Sequence, residues 1–218
     1  MKIETIDVQG FDAAFEGMRN PLKSYGRADS YWSVNETETD EIFVIGPNDM
    51  KLAKGLWKGG TEHRKYLRMI QVWANIWAPR YWWSEYDTYR IGTSANSEST
   101  MHKILQEEFN EQDFEWPRFE GADWDIEAEF RNYLDLLKTV RDRANQCEGQ
   151  EKERMQQMLK SMLPESFIQK RTVNMNYETL ATMYRQRKNH RLPQWREVFC
   201  SWVKTLPYSE LITGEFDD

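Results

Sequence analysis

Apolar residues recur along this chain in two rhythms. In residues 67–78, LRMIQVWANIWA, positions Ile70, Val72, Ala74 and Ile76 alternate with Met69, Gln71, Trp73 and Asn75. A period of two belongs to a strand with one face on a core, so the segment predicts a core strand. Pro79 follows, and its fixed φ and missing N–H suit the first turn of a helix, which residues 81–89 continue. The other rhythm is helical. Residues 124–145 place Ile126, Phe130, Tyr133, Leu134, Leu137 and Val140 on one stripe with charges opposite, the mark of an amphipathic helix. Residues 148–162 read as its partner, ending at Pro164.

Shorter pieces fill in the rest. Residues 1–8 alternate as MKIETIDV and predict a strand, and residues 11–18 have helical spacing. After Gly46-Pro47-Asn48, Met50, Leu52, Leu56 and Trp57 recur at helical intervals until Gly59-Gly60 close the element. Residues 167–175 read as a strand, and 177–189 and 195–206 as helices. Residues 27–41 are polar and turn-like, residues 90–99 are a loop of hydroxyl and amide side chains, and the acidic tail 214–218 reads as frayed.

Composition narrows the function. At 218 residues the chain is long enough for one sizeable core, and one domain over residues 1–218 is expected. A net charge of −7 argues against a general nucleic-acid polymer or anionic-membrane binder. No apolar stretch approaches the roughly 20 residues of a membrane span. The start MKIETIDVQG lacks a secretory signal, and Cys147 and Cys200 are too few for a disulfide framework; a cytoplasmic protein with ordinary thiols is the expectation. A phosphate-binding loop and a dinucleotide fingerprint are absent. His63, His102 and His190 share no ligand spacing, so no metal is expected.

One compositional anomaly stands out. Residues 184–196, YRQRKNHRLPQWR, carry Arg185, Arg187, Lys188, Arg191 and Arg196 and no acid, in an acidic chain. Such a stretch is either a solvated helix face or a local anion site, since guanidinium forks hold phosphate oxygens bidentately. A phosphorylated small ligand fits it better than a polymer. Arg187 and Arg191, four apart, share a face if the helix runs that far.

Larger arrangements then carry a resemblance. Ala78-Pro79, the aromatic helix, Arg90 and a hydroxyl-rich loop with Asn96 and Ser99 are followed by Leu163-Pro164, Thr172-Val173-Asn174-Met175-Asn176, Leu180, Arg187 and Gln194-Trp195. Together with the opening MKIETIDVQGF, this resembles the flavin-dependent thymidylate synthases over most of the chain, and in particular a divergent, phage-associated branch. The family signature R-H-R-x-x-S-x-N-E-x-S-x-R-Y is met in part. Arg90, Asn96 and Ser99 match and Thr93 is a conservative stand-in, with one extra residue between; Thr88, Tyr89, Ser97 and Met101-His102 depart from it. Glu178 and Thr182 stand where Arg and Asn commonly support the flavin. A carboxylate beside a pyrophosphate repels it, so the expectation is a nucleotide side better kept than the flavin side.

The resemblance implies an α/β (α+β) fold with a mainly antiparallel central sheet flanked by helices, assembled as a homotetramer. It implies C5 methylation of dUMP, or a related modification, with FAD as hydride source and folate and NADPH if the chain is enzymatic. It places Arg187 and Ser99 as catalytic residues, with Arg187 polarising the pyrimidine. Substrate contacts fall on Lys160, Arg90, Asn96, Ser99, Glu85 and Arg187, and cofactor contacts on His63, Arg90, Thr93, Asn176, Thr182 and His190. The alternative is a non-catalytic nucleotide-binding protein that sequesters its ligand in the same pocket. Tyr81, Trp82 and Trp83 are read as core.

Overall fold

The computed structural model describes residues 1–34, 41–116 and 126–216. In chain order the elements are β1 (Lys2–Gln9), α1 (Phe11–Gly17), β2 (Tyr31–Val34), β3 (Glu41–Val44), α2 (Pro47–Lys58), β4 (Gln71–Pro79), α3 (Arg80–Tyr86), β5 (Thr93–Ser97), α4 (Thr100–Lys103), α5 (Ile126–Gln146), α6 (Gly149–Met162), β6 (Ile168–Asn176) and α7 (Tyr177–Arg187). A π-helical turn, Gln194–Phe199, then runs into α8 (Cys200–Val203), and α9 (Glu210–Thr213) closes the chain. A four-stranded sheet has the order β1-β4-β6-β5, and β2 pairs with β3 separately. The architecture is mixed α/β with a mainly antiparallel sheet. Its contacts divide into two compact units, one formed by Met1, Trp77–Asp87 and Asn96–Arg171 and the other by Lys2–Ile76, Thr88–Ala95 and Thr172–Asp218.

In the first unit, α5 and α6 pack on each other. The stripe read in the sequence supplies the contact: Phe130, Leu134, Leu137 and Val140 meet Leu159 and Leu163 in one core with Ile104, Phe109, Phe114 and Phe167. Rings reinforce it, with Trp116 stacked on Phe130 at 4.1 Å and Phe114 edge-on to Phe130 at 5.4 Å. The helix α3 buries Trp82, Trp83 and Tyr86 and leaves Tyr81 half-exposed. Arg171 lies over the Trp83 ring at 4.3 Å, and the Trp83 indole N–H donates to the Gln169 carbonyl at 2.9 Å.

In the second unit, Ile70, Val72, Ala74 and Ile76 are all fully buried, so the alternation read in the sequence is real. The Thr172 hydroxyl donates to Asn75 Oδ1 at 2.7 Å, the Asn174 amide to the Val72 carbonyl at 3.3 Å, and the Tyr177 N–H to the Ile70 carbonyl at 3.1 Å. Partner numbers fall on one strand as they rise on the other, the pattern of an antiparallel pair. The helix α7 follows β6 directly. Asn176 caps it, its side-chain oxygen accepting the Thr179 N–H at 2.9 Å, which satisfies one of the first-turn donors.

Several boundaries differ from the sequence reading. Leu67 belongs to a 3-10 turn, Lys65–Arg68, and β4 starts only at Gln71, because alternation alone does not mark where pairing begins. The helix after Pro79 stops at Tyr86, and α7 stops at Arg187. The polar stretch 27–41 contributes β2 and the start of β3, paired with Tyr31 opposite Val44 and Val34 opposite Glu41; its residues 35–40 lie outside the described residues, as do residues 124–125 of the expected long helix. The 90–99 loop contains the edge strand β5. Its side chains are mostly exposed, and an edge strand of polar residues lacks the alternation that reveals a buried one. The tail is held rather than frayed: Glu215 accepts hydrogen bonds from the Tyr184 hydroxyl at 2.8 Å and Lys204 Nζ at 3.1 Å, and Phe216 packs edge-on against Trp57. Residues 217–218 of that tail lie outside the described residues.

Candidate functional site

The second unit gathers five of the expected site residues around the turn after Tyr86 and the two ends of α7. Gly92 makes the approach close. Its φ is +74°, and a Cβ there would sit 2.4 Å from both Asn176 Nδ2 and Thr179 Oγ1, so only glycine fits. The Asn176 N–H donates to the Gly92 carbonyl at 3.3 Å and the Thr179 hydroxyl to the Ile91 carbonyl at 3.0 Å. Thr93 donates its hydroxyl to the Tyr89 carbonyl at 2.5 Å. The segment 89–93 is thereby fixed against α7, and Tyr89 is presented to the helix's far end.

There Arg187 enters a corner made by two rings. Tyr89 and Trp195 lie 6.2 Å apart with an interplanar angle of 64°. The guanidinium carbon is 4.7 Å from the Trp195 ring centre and 5.4 Å from that of Tyr89, within range of cation–π attraction. Arg187 Nε donates to the Tyr89 hydroxyl at 2.8 Å, and that hydroxyl donates in turn to Gln186 Oε1 at 2.8 Å. Arg187 Nη1 lies 3.0 Å from His190 Nε2. A guanidinium only donates, so this contact takes the His190 tautomer with Nε2 bare, whereas the Leu192 N–H facing Nδ1 at 3.2 Å takes the other. Either tautomer satisfies one of the two.

The rest of the basic stretch points outward. Arg185, Lys188, Arg191 and Arg196 are exposed while Arg187 is half-buried. Because α7 ends at Arg187, Arg187 and Arg191 do not share a helix face.

Of the expected cofactor positions, Arg90 is exposed and makes no ion pair among the described residues. His63 lies exposed in the turn before the 3-10 segment, upstream of β4. Thr182 is half-buried on α7. Asn176 and Thr93 use their side chains for the cap and the turn just described, and His190 faces Arg187. Glu178 is buried, and its carboxylate is paired with Arg64, so the bare negative charge expected there is neutralised within the unit. For a dinucleotide pyrophosphate the donor set is therefore thin: Arg90 is its one cation at a position matched by the resemblance.

The first unit holds Glu85, Asn96, Ser99 and Lys160. Ser99 lines a cleft of about 790 Å³ with Trp77, Lys103, Glu107, Phe167 and Lys170 among its walls. Burial pushes the Glu107 carboxyl up, and the nearby charges of Asp113 and Glu98 push the same way against Lys103. Glu85 is half-buried on α3, Asn96 is exposed on β5, and Lys160 is exposed in the last turn of α6; none of the three lines that cleft.

Tyr89 and Trp195 are the residues whose importance the sequence understated. Tyr89 reads as a lost signature histidine, yet its hydroxyl is what Arg187 binds. Both cysteines are free thiols; burial pushes the Cys200 thiol up to about 11, which leaves it protonated and unreactive at neutral pH. No group of metal-holding side chains occurs among the described residues, and none of their helices is long and apolar enough to cross a membrane.

No protein-family profile matches the sequence, and no curated protein does either. Solved structures do match. A crystal structure of thymidylate synthase X (ThyX) from Helicobacter pylori with FAD and dUMP superposes with a TM-score of 0.70 at 16% identity, covering 98% of each chain. A second structure, of the flavin-dependent thymidylate synthase ThyX from the same organism complexed with FAD and dUMP, gives 0.68 at 16% identity over 100% of each chain. The chain shares that fold over its whole length.

Proposed function

We propose that this chain binds a pyrimidine deoxynucleotide and acts on it as a flavin-dependent thymidylate synthase-like enzyme, methylating dUMP at C5 or carrying out a related C5 modification. The observation that carries this reading is the full-length likeness in fold to proteins solved with FAD and dUMP. The Arg187 corner supports it, since a guanidinium fixed between rings is suited to a planar, acceptor-bearing ligand. Arg187 and Ser99 are the catalytic residues in this reading, with Arg187 polarising the pyrimidine. Glu85, Arg90, Asn96 and Lys160 serve the substrate; His63, Arg90, Thr93, Asn176, Thr182 and His190 face the cofactor. Bound FAD supplies the hydride, with methylenetetrahydrofolate as carbon donor and NADPH as reductant. The chain's own residues bind, orient and polarise the nucleotide, which requires no protein nucleophile. One domain assembled as a cytoplasmic homotetramer, in a phage-associated lineage, completes the proposal.

A specific observation favours a second reading, in which the chain holds a nucleotide without turning it over. On the flavin side, the Asn176 side chain caps α7 and Thr93 closes a turn. One experiment separates the two. Purified protein is titrated with dUMP and with FAD, then assayed for conversion of dUMP in the presence of methylenetetrahydrofolate, FAD and NADPH. Turnover establishes the enzyme, tight dUMP binding without turnover or flavin uptake establishes the sequestering protein, and absence of dUMP binding sinks both.

A further inference from the structure

We propose that Tyr89 is a positioning residue for Arg187, and that Gln186 sets the direction in which it acts. The inference rests on the reading of Arg187 as a nucleotide contact and adds to it the device that aims the guanidinium.

An arginine side chain has several rotatable bonds, and holding it in one pose loses conformational entropy. Here three contacts remove that freedom before any ligand arrives. Trp195 is fully buried and edge-on to Phe199 at 5.0 Å, so it is a rigid wall. The Tyr89 ring forms the second wall and its hydroxyl takes the Nε–H. A phenol has a single proton. Because that proton is directed at Gln186 Oε1, an oxygen lone pair is left to accept from Arg187. Gln186 and Arg187 are neighbours on α7, so the hydroxyl bridges the side chains of one short stretch of helix from outside it. The bridge holds the Nε edge of the guanidinium on Tyr89 and thereby orients its Nη end. Tyr89 is itself placed by the turn that Gly92 and Thr93 close, so the aim of Arg187 is set by a segment far from it in sequence. Pre-organisation of this kind raises affinity by lowering the entropy lost on binding.

The test measures dUMP affinity by calorimetry and folding by thermal unfolding, for full-length native protein and for Tyr89→Phe, Gln186→Leu, Arg187→Ala and the Tyr89→Phe/Arg187→Ala double variant. Arg187→Ala is expected to weaken dUMP binding about a hundredfold. Tyr89→Phe keeps the ring and removes only the hydroxyl, and about a tenfold loss is expected, the worth of one hydrogen bond to a charged group. Gln186 is exposed, so Gln186→Leu tests the same bridge without burying anything new; a loss of about threefold is expected. On the Arg187→Ala background, Tyr89→Phe should change nothing, a coupling that a merely structural tyrosine would not show. If Arg187→Ala weakens binding while Tyr89→Phe and Gln186→Leu retain native affinity, the positioning role is overturned and the nucleotide reading stands. If Arg187→Ala retains native affinity, the reading of Arg187 itself fails and the inference falls with it.

Discussion

Arg64 and Glu178 face each other across 2.8 Å with 6% and 12% of their side chains exposed. Their Nε and Oε2 atoms form an ion pair without the alignment of a hydrogen bond, and the guanidinium also lies 5.1 Å from the Trp57 ring centre. A buried pair of this sort contributes little net stability when whole but leaves an uncompensated charge when half is removed. Glu178→Ala is therefore expected to destabilise the protein by about 3 kcal/mol, read by urea unfolding. Replacing both residues by Met should recover most of that loss; a double variant as unstable as the single one would show that the charge is not the cause.

Gly92 offers a sharper backbone test. With φ at +74° and no room for a Cβ between Asn176 and Thr179, Gly92→Ala should cost about 1–3 kcal/mol. Gly26 is a fair control, since nothing lies within 4 Å of a Cβ built there and its φ is not positive. Thermal unfolding should separate the two variants clearly, and equal melting temperatures would contradict the close approach of the 89–93 segment to α7.

The C-terminal anchor should respond to acid. Hydrogen bonds from Tyr184 and Lys204 hold the Glu215 carboxyl below its ordinary value of 4.5. A carboxylate depressed in the folded state contributes stability above its unfolded pKa and loses it as pH falls through the folded value. The tail should thus release below pH 4.5, seen as faster carboxypeptidase digestion, and Glu215→Gln should show that faster digestion already at neutral pH. An unchanged rate in the variant would mean that Phe216 on Trp57 alone secures the tail.

What the sequence made legible follows from burial. The β4 core face and the α5 stripe were readable because each buries one side of a regular element, so physical period and apolar period coincide. The strand β5 was not, because an edge strand of Thr, Ser, Ala and Asn with exposed side chains has no apolar period to read. The neutralisation of Glu178 was not legible, since its partner, Arg64, is more than a hundred residues away and nothing local reveals the pair. Arg187 was legible through charge, standing in an acid-free stretch. Tyr89 departs from the signature by residue type, and a signature does not show what its hydroxyl binds, here Arg187 Nε.

Flavin affinity brings these features together. Among the positions expected to hold FAD, Asn176 accepts the Thr179 N–H with its side-chain oxygen, Thr93 donates to the Tyr89 carbonyl, and His190 faces Arg187. Arg90 is left as the exposed cation at a matched position. A hydrogen bond to a charged group is worth roughly 1.5–3 kcal/mol, so losing one or two such contacts weakens a pyrophosphate ligand by one to four orders of magnitude. The expected result is weak FAD binding by the native chain and a further loss of at least tenfold in Arg90→Ala, measured by flavin fluorescence quenching. Glu178 bears on the same measurement with the opposite sign from a bare carboxylate. Because Arg64 already neutralises it, Glu178→Gln should leave FAD affinity unchanged while lowering the melting temperature. Tighter FAD binding by Glu178→Gln would mean that its charge reaches the flavin site despite the pair, and that the carboxylate rather than the thin donor set limits the cofactor.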